Sequence, residues 1–168
     1  MFITKNSFLK DSYSRRKLNN VLLLQNLKDI EIWFSKKENI VIKIDGASKG
    51  NPGPSAIGIA IYKNNELTEE ISEFIGNQTN NFAEYTALIR ALEICLAKSY
   101  KNIEVNSDSE LVVKQINKIY KVKDADIKEL FDKANSLISK IPSFKITHVP
   151  REENLKADKL ANNALKAI

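Results

Sequence analysis

From Ile40 onward the apolar residues follow two alternating periods, and their order leaves few possible folds. Residues 40–44, 56–62 and 67–74 read as strands, the second and third joined near Asn64-Asn65, a pair that favours a tight hairpin. Residues 81–97 repeat apolar positions at helical spacing. Residues 102–106 read as a strand, 109–119 and 127–139 as helices, 144–149 as a last strand and 154–167 as a last helix. A three-strand meander followed by alternating helices and strands predicts an α/β domain. Its sheet is mixed and five-stranded, an antiparallel meander plus parallel strands, covered by helices. This domain is expected to occupy residues 39–168.

Residues 1–38 differ in character. The first 17 are polar and basic without a clear period, and 18–37 carry an imperfect apolar stripe, Leu18, Val21, Leu22, Leu27 and Ile30. An N-terminal extension that is partly helical is expected there. Residues 1–39 hold eight Lys or Arg against four Asp or Glu, so most of the net charge of +5 lies at this end. The segment reads either as a solvated tail or as an attractor for phosphate backbones.

No apolar run approaches the roughly 20 residues that cross a bilayer, and the start lacks the layout of a secretory signal. The lone Cys95 falls in a helical apolar pattern and cannot form an internal disulfide. These features lead to an expectation of a cytoplasmic protein, and of a monomer with no obligate protein partner.

Four carboxylates have distinctive contexts. Asp45 ends an apolar run and opens DGASKGNPGP; Asp108 ends a second run at SDS. Glu84 shares a helix face with Ala87, Leu88, Ala91, Leu92 and Cys95, and Asp158 shares one with Ala161, Leu165 and Ile168. Two strand ends and two helix starts thus each present an acid toward the domain. A buried carboxylate without a partner is costly, so each needs a cation, hydrogen bonds or a helix N-terminus. Any one of them alone reads as a cap or a paired charge. Four together read as an oxygen-ligand site for a hard divalent cation, Mg²⁺ or Mn²⁺, rather than zinc.

At these residues the chain resembles type 1 ribonuclease H. DGASKGNPGP, the TNN-to-Glu84 helix, SDS and the final Asn-x-x-x-Asp pattern occur in order between Ile40 and Ile168. The resemblance implies an RNase H-like fold and hydrolysis of the RNA strand of RNA–DNA hybrids with two Mg²⁺ ions, leaving 5′-phosphate and 3′-hydroxyl ends. It maps the catalytic and metal-binding acids onto Asp45, Glu84, Asp108 and Asp158, and substrate contacts onto Asn51, Thr79, Asn80 and Asn81. Amides and hydroxyls suit the shallow minor groove where 2′-OH groups lie. The same residues also favour turns and caps.

The sequence departs from the family in three places. Glu110 stands where the family often has an amide. The region between the third acid's helix and the next is short, with Lys118, Lys121 and Lys123 in place of a basic, tryptophan-bearing protrusion. Residues 1–38 do not match the hybrid-binding domain of some relatives. His148 lies ten residues before Asp158, the spacing of the family's mobile catalytic histidine. A gapped alignment instead makes His148 a strand residue and brings Arg151 to that role. Two alternative functions remain: a related two-metal DNA nuclease or recombinase, and a hybrid-binding module without catalysis.

Overall fold

The structure, a computed structural model, describes residues 38–167. The basic extension through residue 37, with the helix expected over 18–37, lies outside the described residues. Five strands form one sheet: β1 (Ile40–Ser48), β2 (Gly53–Lys63), β3 (Glu66–Gln78), β4 (Asn102–Ser107) and β5 (Ser143–His148). Four helices follow the meander: α1 (Asn80–Ala97), α2 (Glu110–Ile116), α3 (Ala125–Ile138) and α4 (Leu155–Lys166). The sheet order is β3-β2-β1-β4-β5. β1 is antiparallel to β2 and parallel to β4, and β4 is parallel to β5. The mixed sheet expected from the hydrophobic periods is thus the observed one.

Period-two alternation gives the sheet two unlike faces. On one, Ile40, Ile42 and Ile44 of β1 meet Ile57, Ile59 and Ile61 of β2, all fully or nearly fully buried. α1 closes this face with Ala87, Leu88, Ala91, Leu92 and Cys95, the stripe its sequence period predicts. The other face carries small residues where α4 packs on it. Ala47 and Ala56 pack with Ala164 and Leu165 of α4, and Gly58 lies beneath α4. Asp45 pairs with Gly58 across the β1–β2 ladder, so it belongs to this second face.

Two glycines set how closely the helices approach. A Cβ at Gly46 would collide with the backbone of Ala83 and Glu84 in α1. A Cβ at Gly58 would collide with the Ala157 carbonyl and the Ala161 amide of α4. The two acid-bearing helices therefore press on the sheet from opposite sides at neighbouring points of β1 and β2.

Element boundaries differ from expectation in two instructive places. β1 does not end at Asp45; its antiparallel pairing continues to Ser48. Only the parallel ladder with β4 stops there, its last pair being Ile44 with Ser107. α2 does not reach residue 119. Lys118 turns left-handed at φ 61°, and the Ile119 amide bonds back to the Lys114 carbonyl (2.8 Å), closing the helix. Ile119 and Tyr120 are left exposed. The Asn64-Asn65 turn has positive φ at both residues, as a two-residue hairpin requires.

Gly46→Ala and Gly58→Ala are expected to destabilise the fold by about 3 kcal/mol or more, because backbone must move to admit a methyl group. Denaturant unfolding measures this. Loss of less than about 1 kcal/mol at Gly46 would show that α1 is free to withdraw.

Candidate active site

Each acid reaches the site from a different element. Asp45 and Asp108 each follow the last pair of the parallel β1–β4 ladder, Ile44 with Ser107, so the end of that ladder brings them side by side. Glu84 lies in the second turn of α1, whose start is capped by Thr79; the Thr79 hydroxyl accepts from the Phe82 amide at 3.2 Å. Asp158 lies in the first turn of α4.

Burial separates the acids. Asp45 is 6% exposed and Glu84 5%, whereas Asp108 and Asp158 are partly open. Burial, then the charges of Asp108 and Asp158, push the Asp45 carboxyl from its ordinary 3.8 up to about 7, against a smaller opposing pull from Arg151 and the Gly46 amide. Burial, then Asp45 and Asp108, push Glu84 well above its usual range, opposed by the Gly46 amide. The buried Oε2 of Glu84 has no hydrogen-bond partner.

Among the described residues, one cation is ion-paired with an acid of this cluster. Arg151, in the short 3₁₀ turn Arg151–Glu153, forms an ion pair with Asp158. Asp158 first, then Asp45 and Asp108, hold the guanidinium in its charged form. The turn is fastened to β1, since Lys43 Nζ donates to the Glu153 carbonyl at 2.5 Å. The next residue, Asn154, is fully buried, and its Nδ2 donates to the Ile44 carbonyl (2.8 Å) and to Asp108 Oδ1 (2.7 Å). The sequence reading carried Asn154 only as the first residue of the Asn-x-x-x-Asp pattern and gave it no role of its own.

Among the described residues, no three acids, histidines or cysteines close around a single point as a ready-made metal cage. The donor set nevertheless fits a hard divalent cation: carboxylates only, two buried, and a buried oxygen left without a partner. Mg²⁺ keeps several waters and binds through few carboxylates plus substrate phosphate, so it does not need a closed protein cage.

The remaining residues from the sequence reading divide into two groups. Asn51, at the tip of the β1–β2 loop, accepts from the Asn80 amide through its Oδ1 (3.1 Å). This joins the loop to the start of α1, and Asn51, Asn80 and Asn81 are all exposed beside Thr79. His148 is the last residue of β5, opposite Ser107, and is exposed. The Glu110 carboxyl is held low chiefly by Lys114 at 2.5 Å and to a lesser degree by His148. Arg151 therefore contacts one of the four acids, whereas His148 stands at the strand end preceding the turn.

The site and fold define a class of proteins with carboxylates gathered at the end of a mixed sheet. A family model described as reverse transcriptase-like matches residues 43–164. Ribonuclease HI of Halobacterium salinarum is 43% identical over 122 residues, 72% of this chain and 61% of that protein. The crystal structure of RNase H1 from that organism superposes with a TM-score of 0.75 at 40% identity, covering 77% of this chain and 99% of that one. An RNase H1 obtained from compost by a metagenomic approach, solved in complex with RNA/DNA hybrid, gives a TM-score of 0.73 at 41% identity. That match covers 76% of this chain and 97% of that one. The chain belongs to the ribonuclease H family. The matched segment spans under two thirds of the length of the Halobacterium relative and 36% of a bifunctional protein of Mycobacterium tuberculosis.

The raised carboxyls make a pH prediction. Folded Asp45 titrates near 7, against an ordinary 3.8. Between those values the folded chain binds more protons than the unfolded one, so stability falls as pH rises through that window. In chelator, the melting temperature should drop from about pH 5 to about pH 8. Asp45→Asn should flatten that drop and exceed wild-type stability at the upper end by about 1.4 kcal/mol or more, the equivalent of one pKa unit. A wild-type melting temperature that rises across this range would contradict the assignment.

Proposed function

We propose that this chain is a divalent-metal-dependent endoribonuclease that hydrolyses the RNA strand of RNA–DNA hybrids, leaving 5′-phosphate and 3′-hydroxyl ends. The observation that carries the reading is the pair of buried carboxylates, Asp45 and Glu84, the latter with an orphaned oxygen. Membership of the ribonuclease H family, and a 41%-identical relative solved with RNA/DNA hybrid, support the substrate class.

Asp45, Glu84, Asp108 and Asp158 would hold the cation, Mg²⁺ by preference with Mn²⁺ as a substitute. When bound, a pair of such ions supplies a water of lowered pKa and stabilises charge on the leaving oxygen. The chain's own groups do the rest. Asn51, Asn80 and Asn81 present amides, and Thr79 a hydroxyl, to the minor groove of the hybrid, where 2′-OH groups distinguish RNA. Arg151 stands beside the acids and is suited to hold the scissile phosphate once it leaves Asp158. His148 is the other candidate for moving a proton to the leaving group. Exposed Lys118, Lys121 and Lys123, in the connection between α2 and α3, add sequence-independent attraction for the backbone. The excess positive charge of residues 1–39 would act in the same way.

A labelled hybrid incubated with and without Mg²⁺ tests this directly. Wild type should cut only the RNA strand and only with metal, and Asp45→Asn should lose nearly all turnover while remaining folded. Equal cutting of duplex DNA, or full turnover by Asp45→Asn, would reject the reading. A chain that binds hybrid without cutting it would be the non-catalytic module instead.

Two further substitutions divide the proton-transfer role. Arg151→Ala should lower kcat clearly, with hybrid binding largely kept, whereas His148→Ala should alter kcat little. A drop of about 10²-fold in His148→Ala, with near-normal Arg151→Ala, would reverse the assignment.

A further inference from the structure

We propose that Asn154 is a positioning residue that sets the spacing of the acid cluster, beyond any role as a helix cap; this rests on the acid site being the metal site. Asn154 occupies the N-cap position of α4, where an asparagine side chain ordinarily accepts a hydrogen bond from an amide of the first turn. Here it makes no such bond. Its Nδ2 instead donates to the Ile44 carbonyl at 2.8 Å and to Asp108 Oδ1 at 2.7 Å, while its own Oδ1 is buried without a partner. Both groups facing Nδ2 are acceptors, so the amide nitrogen must be the end turned toward them. A fully buried amide thus forgoes the cap and leaves its oxygen unsatisfied, at a cost, in order to donate twice at the acid cluster.

The two donated bonds and the backbone of the same residue reach three acids. Ile44 immediately precedes Asp45, so the first bond ties α4 to the strand residue before that acid. The second holds the Asp108 carboxylate itself, and a bond to an ionised acceptor is among the stronger hydrogen bonds. The Asn154 carbonyl accepts from the Asp158 amide at 3.2 Å, which fixes the turn that carries the fourth acid. One side chain therefore joins β1, the end of β4 and the start of α4. Like-charged carboxylates repel one another, and Asn154 is the neutral donor that restrains Asp108 against that repulsion. It also leaves the second oxygen of Asp108 free of this bond. Groups that orient a ligand in this way commonly change metal affinity or activity about 10- to 100-fold when removed.

Asn154→Ala removes both donors. Asn154→Ser restores a cap-forming side chain but is too short to span Ile44 and Asp108, so it separates the structural role from the positioning role. Mn²⁺ titration of the full chain by calorimetry, without nucleic acid and well below the melting transition, is the primary readout. Both variants should bind Mn²⁺ about 10-fold or more weakly, with kcat on hybrid lowered and KM for hybrid little changed. Asn154→Ser should recover melting temperature relative to Asn154→Ala without recovering either deficit. If Asn154→Ala does not fold, the Asn154→Ser arm carries the test. Wild-type Mn²⁺ affinity in either folded variant, or joint rescue of stability and turnover by serine, overturns the proposal. If wild type itself neither binds Mn²⁺ nor cuts hybrid, the acid site has been misread, and this inference falls with it.

Discussion

Two carboxylates buried at one point of the sheet, one contributed by each face, are the constraint on which the rest of the molecule turns. Asp45 lies on the small-residue face and Glu84 comes from the helix over the isoleucine face. Burial and the Asp45 charge push Glu84 up, and among the described residues no cation opposes that rise. Such an arrangement persists only if packing elsewhere holds it. The isoleucine core under α1 does so on one side. Gly46 and Gly58 complete it by letting backbone approach where any side chain would block it.

The same arrangement explains why the cluster is open rather than collapsed. Four acids gathered together repel, and the chain answers with three neutral or cationic groups. Arg151 pairs with the exposed side of Asp158, Asn154 donates to Asp108, and the Gly46 amide opposes the rise in both buried acids. None of these satisfies Glu84 Oε2. The folded chain is therefore less stable at neutral pH than its core alone would make it, a cost often found at sites shaped for a ligand. A divalent cation would remove that cost, which links metal binding to fold stability.

The sheet and the acids were legible in the sequence because both follow periods. Alternation gave the strands, and the offsets from Glu84 to Cys95 placed that acid on the buried face, as the structure has it. Parallel neighbouring strands were enough to bring Asp45 and Asp108 together, where the β1–β4 ladder stops at Ile44 and Ser107. Local backbone events were not legible. The left-handed turn at Lys118 shortens α2 without any glycine to announce it, and β1 runs on past Asp45 through Gly46 and Ala47. Asn154 was visible as the first residue of the Asn-x-x-x-Asp pattern, but its role was not: its residue type also suits a cap, and only the directions of its hydrogen bonds separate the two uses.

Anomalous diffraction from crystals containing Mn²⁺ tests the central claim most directly. The account predicts strong peaks within coordination distance of Asp45 and Asp108, with Glu84 or Asp158 contributing, and Arg151 drawn away from Asp158. Manganese bound elsewhere, with the Arg151–Asp158 pair intact and the four acids unliganded, would contradict it.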